Sequence, residues 1–176
     1  MVERGAATMG YTFLVGAVLL LLGSDVPGDE ARAAFERIRK LEGEWEEKST
    51  NGWAGVKVME VIASGSAVLA TSRIDPHQGE NDSMATVFHM DGDKLMLTHY
   101  CVAGNQPRLR ATSIREDGRR IEFSFQDATN LASPKAGHMH GAVFTLESDD
   151  RYRARWSFYK DGREQWMEDI VHIRRR

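Results

Sequence analysis

The spacing of apolar and polar positions changes twice along the chain. Residues 11–23 (YTFLVGAVLLLLG) form a continuous apolar run, residues 29–41 have a helical spacing, and short alternating runs fill the remainder. The apolar residues of the helical stretch fall on one face, namely Ala34, Phe35, Ile38 and Leu41. We therefore predict a short helix over 29–41, capped at its start by Asp29 and stopped near Gly43.

After Gly43 the pattern repeats every two residues, which is typical of strands with one buried face. Ten strands are predicted, at residues 44–50, 55–62, 66–74, 83–90, 94–101, 108–116, 120–126, 138–147, 151–159 and 164–174. No helical pattern interrupts them, so the strands must form an antiparallel meander. Closing such a meander removes its edges. The predicted fold class is therefore all-β, an antiparallel up-and-down β-barrel of about 8–10 strands preceded by a short helix.

The connections between these strands differ in length at the two ends of the barrel. Alternate connections of a meander lie at opposite ends, and one set consists of tight turns containing Gly, Asp or Ser. The other set contains three long loops, at residues 75–82, 102–107 and 127–137. We expect these loops to surround the mouth of a small-molecule pocket, because long loops at one rim are usually functional.

The first 28 residues form a segment of their own. Residues 5–24 contain no charged side chain and follow Arg4. Such a run is typical of a secretory signal peptide, and it is also about long enough to be an uncleaved membrane anchor. We predict a signal peptide or anchor over 1–28 and a barrel domain over 29–176. In both cases the barrel works outside the cytoplasm, periplasmic or secreted, and meets a membrane only through the N-terminal segment.

Composition narrows the possible partners. The chain has 23 Lys and Arg against 26 Asp and Glu, and a formal net charge of −3. This balance gives no basic surface of the kind that binds nucleic acid. The single cysteine, Cys101, excludes an internal disulfide and a multi-cysteine zinc site.

Gly43-Glu44-Trp45 follows the predicted helix and opens the first predicted strand. It resembles the G-x-W signature of lipocalins and related calycins. In that group an arginine near the end of the last strand packs over the tryptophan, and Arg174 or Arg175 stands in the matching place. The middle of the chain, from His99-Tyr100-Cys101 through Gly104-Asn105-Gln106-Pro107-Arg108, looks more like uncharacterised exported bacterial lipocalin-like domains. The resemblance implies the barrel fold and no particular activity.

Three histidines are candidates for chemistry at the mouth. His138 and His140 are two apart on a predicted strand and would share the inward face of that strand. His99 is placed on the inward face of another strand, near the same rim. Three imidazoles could hold zinc with an open coordination position. The alternatives are a polar ligand pocket and histidines that only satisfy one another.

Further ligand-binding candidates lie in the mouth loops and the barrel wall. Amides and a guanidinium in or beside one mouth loop could bind a carboxylate or carbonyl group, namely Asn105, Gln106 and Arg108. The apolar wall is predicted to contain Phe123, Phe125, Phe144 and Trp156. Each of these residues also has a purely structural interpretation, as loop capping or core packing.

The leading hypothesis is an exported barrel that binds a small amphipathic molecule. The alternative is an enzyme that acts on such a molecule by histidine acid–base or metal-assisted chemistry. A third hypothesis, haem binding through an inward histidine, rests on analogy with haem-binding barrels. The sequence has no nucleophile elbow, zinc-protease motif, P-loop or dinucleotide fingerprint.

Overall fold

The computed structural model describes residues 26–74 and 83–176. Helix α1 spans Gly28–Arg39, and a short 3-10 turn lies at Ala63–Gly65. The ten strands are β1 Gly43–Ser49, β2 Ala54–Ile62, β3 Ala67–Ile74, β4 Ser83–Asp91, β5 Lys94–Tyr100, β6 Gln106–Arg115, β7 Arg120–Thr129, β8 His138–Ser148, β9 Arg151–Lys160 and β10 Arg163–Arg174.

All neighbouring strands pair antiparallel, and β1 pairs with β10 to close a ten-stranded barrel. The predicted fold class is confirmed. Strands β6 and β7 extend further toward the mouth than predicted, so the two described mouth loops are shorter than the ranges 102–107 and 127–137.

Helix α1 covers one end of the barrel. Ala31, Ala34, Phe35 and Ile38 are buried on the face that meets the strands. The Arg32 side chain donates a hydrogen bond to the Gly92 carbonyl oxygen in the β4–β5 turn, 3.3 Å away. The predicted cap is wrong, because Pro27 holds the N-cap position and Asp29 makes no capping hydrogen bond. Asp29 instead lies in the first turn, where its charge favours the helix dipole.

The tryptophan of the G-x-W segment closes this end. Trp45 is completely buried and pairs with Arg174 across β1 and β10. The Arg174 guanidinium lies 4.2 Å from the indole centroid, and the Trp45 ring nitrogen donates to the Leu41 carbonyl oxygen at 2.9 Å. Gly43 has φ +133°, a conformation that glycine adopts without strain. The arginine of the predicted pair is therefore Arg174.

The N-terminal prediction lies almost entirely outside the described residues, since residues 1–25 are not among them. Within residues 26–74 and 83–176, no helix is long and apolar enough to cross a bilayer. The signal peptide or anchor over 1–28 stays a prediction, and so does the resulting location.

Candidate functional site

The described mouth loops meet at the barrel end opposite to helix α1. The Asn105 side-chain amide donates to the Gly137 carbonyl oxygen at 2.8 Å, which ties the β5–β6 loop to the β7–β8 loop. The Asp161 backbone N–H donates to the Lys135 carbonyl oxygen at 2.9 Å, which adds the β9–β10 turn. These two loops therefore share one rim, as predicted, and the loop at 75–82 lies outside the described residues.

A cavity of about 30 Å³ lies inside the barrel in its open half. That volume holds a water molecule and is far smaller than a drug-sized pocket. Its lining combines aromatic and polar side chains, including Trp53, Lys57, Thr86, His99, Trp156 and Glu168.

His99 lines this cavity as a buried, neutral imidazole. Its Nδ1 lies 3.0 Å from the Thr86 hydroxyl oxygen, and its ring lies 4.9 Å from the Trp156 ring. Burial, and then the nearby charge of Lys57, lower the pKa of His99 to about 4. Its buried Nε2 has no hydrogen-bond partner among the described residues. One ring nitrogen is therefore left for another molecule.

Glu168 is the acidic group of the same cavity and is 7% exposed. Its Oε1 accepts hydrogen bonds from the Ser49 hydroxyl and from the Trp53 indole N–H, the latter at 2.6 Å. Both donors are uncharged. Within the part of the chain that the structure describes, no cationic side chain forms an ion pair with Glu168.

A buried ion cluster connects the cavity to the closed end. Lys57 Nζ lies 2.9 Å from Glu47 Oε1 and 3.2 Å from His172 Nε2, which itself lies 3.0 Å from Glu47 Oε1. The Tyr152 ring stacks on His172 at 4.0 Å and meets Trp45 edge to face at 4.8 Å. These contacts fix the ammonium group of Lys57 beside the carboxylate of Glu47.

The charges of this cluster depend on one another. Burial raises the pKa of Glu47, but Lys57 and His172 outweigh it and bring the value to about 2. Burial and Lys57 lower the pKa of His172 to about 4, against the opposing effect of Glu47. At neutral pH the cluster is therefore an ion pair beside an uncharged imidazole.

A β-bulge in β8 interrupts the regular alternation predicted for its first residues. The register with β9 shifts between Met139 and Gly141, so Met139 pairs with Phe158 and His138 pairs with Tyr159. Met139 lines the cavity, and the extra residue interrupts the alternation of side chains that would place His138 and His140 on one inward face. The assumption of unbroken alternation in β8 was wrong.

His138 and His140 form a separate pair, away from His99. Their Nε2 and Nδ1 atoms lie 3.0 Å apart, and the His140 ring stacks between Phe125 at 5.1 Å and Tyr159 at 4.1 Å. The three histidines therefore do not converge on one cavity. Among the described residues, no group of three or more His, Cys, Asp or Glu side chains is placed to hold a metal ion.

The polar residues predicted at the mouth bond mainly to the protein itself. Arg108 forms an exposed ion pair with Asp127. Gln106 Oε1 accepts hydrogen bonds from the side chains of Thr129 and Asn130, each at 2.7 Å. These contacts fit the structural interpretation of Arg108 and Gln106. Their predicted ligand contacts stay predictions.

The predicted aromatic wall fills the barrel interior. Phe144 meets Phe88 at 5.4 Å, Phe123 at 5.8 Å and Trp156 at 5.8 Å, each pair edge to face. Such geometry stabilises aromatic pairs beyond the burial of their area. Phe123, Phe144 and Trp156 are therefore core residues, and Trp156 also borders the cavity.

The sequence interpretation overlooked the buried charges. Counting in steps of two from Trp45 places Glu47 inside the barrel, and counting from Ile170 places Glu168 and His172 there. The alternation of side chains in β1 and β10 was therefore sufficient to predict that these three residues face the interior.

No protein-family model and no curated protein sequence matches the chain. Several solved structures are similar to it. A DUF3598-family protein of unknown function from Nostoc punctiforme is 11% identical, with 78% of this chain and 49% of that chain covered and a TM-score of 0.49. Rv2717c from M. tuberculosis is 16% identical, with 81% and 98% covered and a TM-score of 0.56. EF1p2_mFAP2b bound to DFHBI is 12% identical, with 84% and 99% covered and a TM-score of 0.32.

The chain spans about half the length of the DUF3598-family protein. At these identities a likeness concerns the fold alone, and the TM-score with Rv2717c supports the barrel architecture. The chemistry must be argued from the residues of the cavity itself.

Proposed function

We propose that this protein is a lipocalin-like barrel that binds a small amphipathic molecule in its open half. The observation that carries the proposal is the buried Nε2 of His99, which borders a cavity and has no partner among the described residues. A buried polar atom left without a hydrogen bond costs about 1–3 kcal/mol. A molecule that forms a hydrogen bond with His99 Nε2 removes this cost, and part of that free energy therefore contributes to its binding.

The surroundings of His99 suit the apolar part of such a molecule. Trp53, Trp156 and Met139 border the cavity. Toward the rim, Phe158 stacks against Trp166 at 5.1 Å, and Trp166 is 38% exposed. Because the cavity has a volume of only about 30 Å³, a ligand must displace side chains, and we take this rim pair as the candidate. Binding is therefore coupled to rearrangement of the mouth.

The proposal also includes membership of the calycin group and a location outside the cytoplasm. The packing of Arg174 over Trp45 supports the calycin resemblance. Export through the 1–28 segment would deliver the barrel to ligands outside the cytoplasm. Intact-mass measurement of the protein from a secreting host tests this, and recovery of the uncleaved chain from the cytosol would contradict it.

The binding proposal is tested with two probes of matched size. Phenol carries a hydroxyl group where toluene carries a methyl group, and a hydroxyl can either donate to His99 Nε2 or accept from it. In NMR titrations we expect phenol to bind about 2–10 times more tightly than toluene, the value of one hydrogen bond. The shifted signals should centre on the Trp156 indole.

Two matched variants decide the role of the imidazole. His99→Leu should abolish the preference for phenol, whereas His140→Leu, the same change away from the cavity, should leave it intact. The proposal fails if neither probe binds, if the shifts lie elsewhere, or if the preference survives in His99→Leu.

A further inference from the structure

The buried ionisable groups inside the barrel do not balance in charge. Among the described residues, Glu47 and Glu168 are buried with one cation, Lys57, while the low pKa values of His99 and His172 keep both imidazoles uncharged at neutral pH. The formal charge of these groups is therefore −1. Removing an unpaired charge from water costs several kcal/mol unless a partner compensates it.

The surplus charge resides at the cavity. Lys57 is held against Glu47 at 2.9 Å, and the Ser72 hydroxyl also donates to Glu47 Oε1, at 3.2 Å. Glu168 has only uncharged donors among the described residues, Ser49 and Trp53. Lys57 borders the same cavity and its charge also acts on His99, but the Glu47 carboxylate opposes that charge at 2.9 Å. Glu168 is therefore the acid without a counter-charge.

The remaining lining favours a cation over an anion. The indole rings of Trp53 and Trp156 border the cavity, and aromatic rings attract ammonium groups. The neutral His99 offers an unpartnered ring nitrogen, which accepts a hydrogen bond when its Nδ1 carries the proton. A carboxylate or phosphate at this place would instead meet a second negative charge at Glu168.

We propose that the molecule bound by this barrel is an amine, whose ammonium group enters the cavity between Glu168 and His99 and whose hydrocarbon part extends toward the rim. The inference rests on the proposed binding function. The cavity of about 30 Å³ is of the size of an ammonium head group, and the hydrocarbon part takes the place of the rim side chains.

The test compares three six-carbon molecules of different charge, hexylamine, hexanol and hexanoate, by calorimetric titration at pH 7. We expect hexylamine to bind at least about tenfold more tightly than hexanol, the value of a hydrogen bond to a charged group, and hexanoate to bind most weakly. Glu168→Gln removes the charge and keeps the shape. It should lower the affinity for hexylamine to that for hexanol and change hexanol little.

Glu164→Gln is the matched control, because it removes an exposed carboxylate from the same strand. It should leave all three affinities unchanged. If hexanol binds as tightly as hexylamine to the unchanged protein, Glu168 carries a proton or a partner and the inference is overturned. Preferred binding of hexanoate, or an unaltered preference in Glu168→Gln, overturns it as well. None of these results would contradict a phenol affinity that depends on His99, so the proposed binding function is tested independently of the amine inference.

Discussion

Replacing Trp45 by alanine tests how the closed end of the barrel is held together. The side chain is completely buried, and its ring nitrogen donates to the Leu41 carbonyl oxygen at 2.9 Å. The indole also meets Tyr152 at 4.8 Å and carries the Arg174 guanidinium at 4.2 Å. Trp45→Ala therefore removes the contacts of β1 with the segment after helix α1, with β9 and with β10 at once.

The expected loss follows from these contacts. Large-to-small changes of a buried tryptophan cost about 3–5 kcal/mol, and an aromatic–cation contact contributes about 0.5–2 kcal/mol of coupling. A domain of this size has a total stability of about 5–15 kcal/mol. Trp45→Ala should therefore remove a large share of the stability, and Arg174→Met should matter less in the Trp45→Ala background than alone.

Urea unfolding followed by far-UV circular dichroism measures both quantities in a double-mutant cycle. Trp166→Ala serves as the control, since this side chain is partly exposed at the opposite rim, and it should cost about 1 kcal/mol through its stacked pair. A loss below about 1 kcal/mol for Trp45→Ala would refute the reasoning. Strictly additive effects of Trp45→Ala and Arg174→Met would show that the contact between the guanidinium and the indole contributes no stability.

Two further predictions concern charges. His99 and His172 have folded-state pKa values of about 4 against an ordinary 6.5, so the unfolded chain takes up protons first as the pH falls. The free energy of unfolding should be nearly constant between about pH 7 and 8 and decrease between 6.5 and 4, by about 1.4 kcal/mol per pH unit for each histidine. A flat profile in urea titrations across the lower range would contradict the prediction. Arg108→Ala should change stability by no more than about 1 kcal/mol and leave phenol binding unchanged, because its ion pair is exposed. A weakened phenol titration would instead return Arg108 to the binding site.

The barrel and its closed end could be predicted from the amino-acid sequence. Alternation of apolar and polar residues has a period that only strands satisfy, and tight turns without helical crossovers leave an antiparallel meander as the outcome. The Gly43-Glu44-Trp45 segment after an amphipathic helix resembles the G-x-W signature, and this resemblance implied that Trp45 closes one end of the barrel under an arginine of the last strand. Both inferences depend on short sequence patterns, which can be recognised without knowledge of the tertiary contacts.

The grouping of polar side chains inside the barrel depends on contacts between distant strands. One extra residue in β8, the bulge between Met139 and Gly141, interrupts the alternation on which the placement of His138 and His140 was based, and no short sequence pattern marks such a bulge. The meeting of Glu47 with Lys57 depends on the register of β1 against β2, and that of Glu168 with His99 on strands far apart in sequence that curve around one cavity. Alternation tells which face a side chain occupies, but the distance across a barrel is set by its closure and register, and these are properties of the whole sheet.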